Sequence, residues 1–248
     1  MLFVLAFSAF IYCEPSLQQR YERIVPEAEK YGGADVLVRA RDALAKGNYT
    51  LITLEDLWTT ALQEGKNLFH TKNLWGMTGP SRTKDMLGQT TVGPWQITTA
   101  NAIEYGKKYG LKSADELAND PEMQARIAAD FIEESYQKYG KRNPLAIQRY
   151  FWLQAFVNKQ IGQGPWYESV LPGKARSQKQ TGFYAKQVLL GSQFNSKGLL
   201  YWLHVTGDED AIREAIKTWR EAGYPVSAAD VPHCKCDPQF QRYLLGLL

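Results

Sequence analysis

A single acidic residue and a short turn are the positions of this chain that could carry out chemistry. Glu64 ends an apolar stretch in Ala61-Leu-Gln-Glu-Gly-Lys66, and Gly93-Pro-Trp-Gln-Ile97 follows later in the chain. A carboxylic acid with apolar neighbours has a raised pKa, so it can protonate the leaving oxygen of a glycosidic bond. The glycine permits a close backbone turn, Trp95 offers an aromatic platform, and the Gln96 amide can hydrogen-bond sugar hydroxyl or acetamido groups. These residues together predict a glycan-cleaving site.

A helix must position this acid. Apolar residues at helical spacing predict a helix from Leu54 to Gln63, directly before Glu64. We expect Leu57, Trp58, Ala61 and Leu62 to form its inward face, with Leu68 and Phe69 closing over the carboxyl. For a glutamate taken alone, a solvated helix end is the more common setting.

Other stretches with helical spacing predict a mainly α protein. The clearest helix begins at Asp120-Pro121-Glu122, where Asp caps the helix and Pro suits its first turn, and it ends at Gly140. Its apolar stripe predicts one buried face and leaves Glu133, Glu134 and Lys138 in solvent. Further helices are predicted over Thr99 to Tyr109, from Ser113 onward, over Pro144 to Lys159 and over Asp208 to Glu221.

Two stretches do not fit a helix. Gly76 to Val92 is rich in Gly, Thr, Ser and Pro, which predicts a long loop with short β-hairpin character beside the groove. Gly162 to Gly182 links two of the predicted helices. The simplest partition is a signal-like segment (1–13), an N-terminal helical arm (14–49), a catalytic domain (50–192) and a C-terminal helical extension packed on the same domain (193–248).

Composition narrows the class of protein. The chain has 248 residues, 44% of them hydrophobic, and a net charge of +3 without a basic block, which argues against nucleic-acid binding. The apolar run from Leu2 to Tyr12 has the length of a signal-peptide core and is too short to span a bilayer. We therefore expect an exported, periplasmic or secreted protein without a membrane span, which acts as a monomer. The alternative for this run is a buried N-terminal segment.

Neither a metal nor a cofactor is predicted. His233, Cys234 and Cys236 lie close together in Val231-Pro-His-Cys-Lys-Cys-Asp-Pro238. A structural zinc site needs four ligands at hairpin-like spacings, and a disulfide between residues two apart would be strained. A proline-bounded loop that holds two thiols explains the segment better than a metal site does.

Aromatic residues near the two motifs could stack against sugar rings. Most aromatic side chains of a helical domain pack in its core, so we expect about two of these six to touch substrate. The candidates are Trp75, Trp95, Tyr150, Trp152, Trp166 and Tyr184.

The order of the motifs resembles the lysozyme-like superfamily of lytic transglycosylases and goose-type lysozymes. There a Glu at a helix end precedes a Gly-Leu-Met-Gln motif, to which Glu64 and Gly93-Pro-Trp-Gln96 are similar. The resemblance extends over roughly residues 50 to 190, and it implies a lysozyme-like α-helical fold. It includes Thr98-Thr-Ala100, the helix from Asp120 to Gly140, the run from Pro144 to Tyr150, and Gly182-Phe-Tyr184 to Val188.

The resemblance also implies roles for further residues. Goose-type lysozymes carry an Asp shortly before the Gly-Leu-Met-Gln motif, and Asp85 lies eight positions before Gly93. Asp85 is thereby implied as the base that positions a water, with a loop-capping Asp as the alternative. Thr98 stands where those enzymes have another Asp, and it can only hydrogen-bond. Tyr150 is implied to face the acid, and Asn158 to supply the amide that the family has directly after this tyrosine.

Some residues depart from the family pattern. Pro94 and Trp95 replace Leu-Met, and Phe151 follows Tyr150 where Asn is expected. The segment Asn73-Leu-Trp-Gly76 resembles Asn-Leu-Phe-Gly of the related flagellar-type glucosaminidases. The superfamily is therefore a safer assignment than any subfamily.

The resemblance implies a peptidoglycan-cleaving, bacteriolytic muramidase that cuts the β-1,4 bond between N-acetylmuramic acid and N-acetylglucosamine of cell-wall glycan strands. One alternative is a lytic transglycosylase, which needs only one acid and forms 1,6-anhydromuramic ends. Another is a non-catalytic glycan-binding module. A further hypothesis is tuning to N-deacetylated glycan, for which Asp85 or Glu104 would bind the glucosamine ammonium.

Overall fold

Helices dominate the described part of the protein. The structure is a computed structural model, and it describes residues 14–78, 90–151, 184–191, 198–223 and 226. This confirms the mainly α prediction. The helices are α1 Leu17–Lys30, α2 Ala34–Lys46, α3 Leu54–Gly65, α4 Thr99–Gly106, α5 Ala114–Ala118, α6 Pro121–Tyr139, α7 Pro144–Phe151, α8 184–190, α9 Leu199–Thr206 and α10 Glu209–Glu221, with single 3₁₀ turns at Lys66–Leu68 and Lys107–Tyr109.

Capping side chains set the starts of several helices. Asp120 Oδ1 accepts a hydrogen bond from the Met123 amide at 2.9 Å, which begins α6 at the predicted position. Ser113 caps α5 in the same way, and Asp208 caps α10. Thr53 and Asp56 form a capping box at the start of α3. Local chemistry therefore explains where these helices begin.

A small antiparallel sheet lies between α3 and α4 in the chain. Its strands are β1 Met77–Thr78, β2 Thr91–Val92 and β3 Ile97–Thr98, in the order β1-β2-β3. Thr91 pairs with Thr78 on one side and with Thr98 on the other. Both ends of the predicted loop from Gly76 to Val92 are thus paired strands.

Helix α3 is at the centre of the core. Leu57, Trp58, Ala61 and Leu62 have no exposed surface, as the predicted inward face requires. Helices α1, α2, α6 and α9 pack against α3, so residues 14–49 form part of the same hydrophobic core. A second cluster joins α8, α9 and α10 around Trp219, whose indole N–H donates to the Arg142 carbonyl at 3.0 Å.

Two buried ion networks attach α3 to distant parts of the chain. Arg20 of α1 donates to Glu55 of α3 at 2.8 Å and to Asp208, the cap of α10, at 2.5 Å. Asp56 accepts from Arg142 at 3.2 Å and from the Tyr136 hydroxyl at 2.8 Å. Buried charges are tolerated when they are paired in this way.

Glu133 corrects one prediction about α6. The helical stripe placed it in solvent, but only 6% of its surface is exposed. Its carboxylate accepts from the amides of Thr50, Leu51 and Ile52 at 3.1, 3.0 and 2.8 Å. It therefore supplies acceptors to the backbone just before α3.

Membrane-spanning helices and metal-binding clusters are both absent from the described residues. None of the helices within that part is long and apolar enough to cross a membrane. The same part holds no group of three or more His, Cys, Asp or Glu side chains arranged for a metal. The predicted signal-like segment and the loop with Cys234 and Cys236 lie outside it.

Candidate active site

Glu64 occupies the last turn of α3, as predicted. Its side chain is partly exposed, yet the Oε1 atom is fully buried and has no hydrogen-bond partner among the described residues. Burial raises the pKa of Glu64 to about 7, and a hydrogen bond from Tyr184 opposes this rise in part. A large share of the Glu64 carboxyl therefore carries a proton at neutral pH, which is the state that a general acid needs.

The turn that follows the acid in sequence packs directly on the end of α3. A Cβ atom at Gly65 would lie 2.1 Å from the Pro94 carbonyl oxygen and 2.6 Å from its Cα atom. The Trp95 indole N–H donates to the Leu57 carbonyl of α3 at 3.0 Å. The absent side chain at Gly65 thus allows the acid and the turn to meet.

Trp95 itself is fully buried, with no exposed surface. It was predicted as a platform for a sugar ring, but in this position its ring packs in the core and its N–H is used within the protein. Trp75 is partly exposed and lies against Trp95, with ring centroids 6.4 Å apart. Of the two tryptophans, Trp75 is the one with surface available to a ligand.

Gln96 has an unusual backbone conformation. Its φ angle is +49°, in the left-handed region that few residues other than glycine adopt. Its backbone N–H and its side-chain Nε2 both donate to the Gly93 carbonyl, at 3.0 and 2.9 Å. Such strain persists only where the surroundings hold it, and it is frequent at functional sites.

Two tyrosines lie beside the acid. Tyr150 of α7 donates its hydroxyl to the Trp95 carbonyl at 2.6 Å, and its ring packs edge-on against Phe131 at 5.5 Å. Burial, and next the Glu64 carboxylate, raises the pKa of both Tyr150 and Tyr184. Both hydroxyls therefore stay protonated at neutral pH and serve as donors.

Three predicted binding residues share one cavity. Gln96, Thr98 and Tyr150 line a space of about 300 Å³, part of which opens to solvent. Thr98 also caps α4, because its hydroxyl accepts from the Asn101 amide at 3.3 Å. The lining is a mixture of polar and apolar residues, and its remaining members are Ile97, Asn101, Tyr105, Ile127, Ala128 and Phe131.

Several predicted site residues lie outside the described part. These are Asp85, Asn158, Trp152 and Trp166. Glu104, the other candidate partner for a glucosamine ammonium, is exposed on α4. The described residues thus contribute the acid, the turn, the two tyrosines and one cavity.

Gly65, Thr78 and Thr91 contact the site but were not predicted from the sequence. Gly65 follows the acid directly, and a glycine at the end of an apolar helix is a recognisable signal for close packing. Thr78 and Thr91 gave no comparable signal, because their relation to Gln96 depends on strand pairing that cannot be seen in a two-residue strand.

A second, larger cavity of about 910 Å³, also open to solvent, lies along α6 away from the acid. Its carboxylates are used within the protein. Asp130 accepts from the hydroxyls of Tyr49 and Tyr109, at 3.0 and 2.7 Å, and Glu134 accepts from Tyr105 at 2.5 Å. Because these acids are hydrogen-bonded and charge-paired with Lys108 and Arg149, Glu64 is the better candidate for chemistry.

Comparisons with models of protein families, with curated proteins and with solved structures found no match to this chain.

Proposed function

We propose that this protein cleaves the β-1,4-glycosidic bond between N-acetylmuramic acid and N-acetylglucosamine in peptidoglycan, with Glu64 as the general acid. The observation that carries the proposal is the environment of Glu64, a carboxyl with a pKa of about 7 beside the Gly93–Gln96 turn. The motif order that resembles lysozyme-like enzymes supplies the substrate class.

The chemistry assigns a separate task to each group. Protonated Glu64 donates its proton to the glycosidic oxygen as the bond to the anomeric carbon breaks, and the ring gains oxocarbenium character. The leaving sugar departs with a new hydroxyl, and Glu64 becomes a carboxylate. The Tyr184 hydroxyl then donates to that carboxylate, which limits the cost of charge in a buried place.

The fate of the sugar cation separates two versions of the proposal. Hydrolysis needs a water and a base, and Asp85 is the proposed base. Lytic transglycosylation needs no second carboxylate, because the O6 hydroxyl of the muramic acid attacks its own anomeric carbon. Asp85 lies outside the described residues, so this second candidate is kept beside the first.

Digestion of purified cell wall tests the proposal. Glu64→Gln keeps the shape of the side chain and removes its proton, so we expect cleavage to fall at least about a hundredfold. Glu29→Gln, at an exposed glutamate of α1, is the matched control and should cleave like wild type. Full activity of Glu64→Gln would remove the assignment.

Mass spectrometry of the released fragments separates the two reactions. Reducing muramic ends indicate hydrolysis, and 1,6-anhydromuramic ends indicate transglycosylation. Tight binding of glycan without any released fragment would instead indicate a binding module. Equal rates on acetylated and N-deacetylated wall would contradict tuning to deacetylated glycan.

Export stays a prediction, since Leu2 to Tyr12 lie outside the described residues.

A further inference from the structure

Two threonines of the small sheet lie against the side chain of Gln96. Thr91 Oγ1 lies 2.7 Å from Gln96 Oε1, and Thr78 Oγ1 lies 3.3 Å from the same atom. The two hydroxyls also contact each other closely. On the opposite side of the amide, Nε2 lies 2.9 Å from the Gly93 carbonyl oxygen. Three polar groups, from β1, β2 and the turn, thus surround one amide.

The direction of every hydrogen bond in this group follows from the Gly93 carbonyl. A carbonyl oxygen can only accept, so the amide atom next to it must be the nitrogen. The other amide atom is therefore the oxygen, which also can only accept, and Thr91 must donate to it. Because a hydroxyl has one proton, Thr91 can only accept from Thr78, whose own proton is shared between Thr91 Oγ1 and the Thr91 carbonyl oxygen 3.2 Å away.

These hydrogen bonds fix the orientation of the Gln96 side-chain amide. One Nε2 proton is used by Gly93, and the carbonyl side of the amide faces the threonine hydroxyls. Among the described residues the second Nε2 proton has no acceptor, and Gln96 lines the cavity together with Tyr150.

We propose that Thr91, oriented by Thr78, is a positioning residue that holds the Gln96 amide as a hydrogen-bond donor toward the cavity. The site would thereby prefer a ligand oxygen that accepts a hydrogen bond at this point. The link to catalysis rests on the proposed function, whereas the orientation of the amide does not.

Without the threonine hydroxyls the side-chain amide of Gln96 could rotate between several hydrogen-bonding arrangements. Its backbone is also in the left-handed region, at φ +49°, a conformation that persists only where the surroundings hold it. Residues that orient a ligand-binding group commonly contribute to affinity without touching the ligand.

Amide NMR of the Gln96 side chain tests the orientation without any substrate. We expect Thr91→Val to shift the side-chain amide signals and to speed their hydrogen exchange, and Thr91→Ser to restore the wild-type spectrum because it keeps the hydroxyl. Thr71→Val is the control, since Thr71 donates to the Leu68 carbonyl away from this site. An unchanged Gln96 amide in Thr91→Val would overturn the proposal.

A double-mutant cycle on glycan cleavage tests the functional link. Thr91→Val should lower kcat/KM about tenfold in the wild-type background, the size expected for one neutral hydrogen bond, and Thr91→Ser should stay close to wild type. In a Gln96→Ala background, Thr91→Val should cause no further loss, because the residue acts through the amide. An equal loss in both backgrounds would show a merely structural role and overturn the link.

The two experiments fail in different ways. Absence of cleavage by the wild-type protein would refute the proposed function, and the NMR result would then decide the orientation alone. A cleaving wild type with an unchanged amide in Thr91→Val would refute the positioning role and leave the proposed function intact.

Discussion

Two carboxyl groups of α3, Asp56 and Glu64, have opposite electrostatic surroundings. Burial by itself would raise the pKa of Asp56, but the Arg142 charge and the hydrogen bonds from Arg142, Thr53 and Tyr136 lower it. Glu64 has burial without such a cation, and its pKa is raised to about 7. One helix therefore carries a permanently charged structural carboxylate and a protonatable acid, which is the separation that acid catalysis uses.

The Glu64 pKa predicts how stability depends on pH. The folded protein keeps the Glu64 proton up to a pH of about 7, whereas the unfolded chain releases it near 4.5. Because the folded state binds more protons in this window, the free energy of unfolding should fall as the pH rises from about 4.5 to about 7. The loss is at most about 3 kcal/mol, an upper bound for a carboxyl whose side chain is partly exposed.

Urea unfolding at several pH values measures this dependence. Glu64→Gln cannot release a proton, so its stability should lack that decline and should exceed the wild-type stability at pH 8. Cleavage by wild type should fall as the pH rises through about 7, because the general acid is then deprotonated. Identical pH profiles of stability for the two proteins would contradict the raised pKa.

At the scale of elements, the end of α3 and the Gly93–Gln96 turn act as one unit. The Trp95 indole binds the Leu57 carbonyl, the Tyr150 hydroxyl binds the Trp95 carbonyl, and Gly65 lies against Pro94. Glu64 therefore keeps its position relative to the Gln96 amide through contacts that involve neither the carboxyl nor the amide.

Gly65→Ala should separate the acid from the turn. The new methyl group would lie 2.1 Å from the Pro94 carbonyl oxygen, so the backbone of the turn must move. We expect a loss of about 1 to 3 kcal/mol of stability, typical of overpacking, together with a strong loss of cleavage. Thermal unfolding and wall digestion measure the two effects.

Gly110→Ala is the matched control for this change. Gly110 has φ +80° with open space around its Cα, so the substitution strains the backbone without touching the site. It should cost about 1 kcal/mol and leave cleavage per folded molecule unchanged. If both variants lose activity equally, the contact between Gly65 and Pro94 has no special role.

Local chemistry made the elements predictable from sequence. Asp120, Pro121 and Glu122 predicted the start of α6, and the apolar spacing before Glu64 predicted α3 and its buried face. Glu133 and Trp95 show where such prediction stops. Glu133 is buried because backbone amides 81 to 83 positions away need acceptors, and the Trp95 indole reaches a carbonyl 38 positions away. Hydrogen bonds over such separations leave no periodic signal in the sequence.

The candidate site, too, could be predicted from the sequence only in part. Glu64 and Gln96 were predicted from residue type and order, and they lie in the described site beside Tyr150 and Tyr184. The role of the two threonines depends on strand register, which local patterns cannot supply for strands this short.

At the scale of the whole molecule, one arginine joins three distant helices. Arg20 of α1 is 5% exposed and contacts Glu55 on α3 and Asp208 at the start of α10. Three charges are buried together here, so each depends on the others. The helix with the acid is thereby attached to both the early and the late helices of the described chain.

Arg20→Met should be strongly destabilising. It keeps much of the side-chain volume but leaves two buried carboxylates without their cation, which typically costs about 3 to 5 kcal/mol. Lys30→Met removes an exposed partner of Glu27 on the same helix and should change stability by less than about 1 kcal/mol. Urea unfolding measures both, and a loss in Arg20→Met no larger than in the control would contradict the network.

The Arg20 network also affects the point during synthesis at which the protein can complete its core. Arg20 and Asp208 are 188 positions apart, whereas α1 and α3 leave the ribosome early. Until residue 208 is made, Arg20 and Glu55 lack their third partner, and contacts this distant in sequence form late. A nascent chain should thus hold Glu64 in an unfinished core until most of the described helices have been translated.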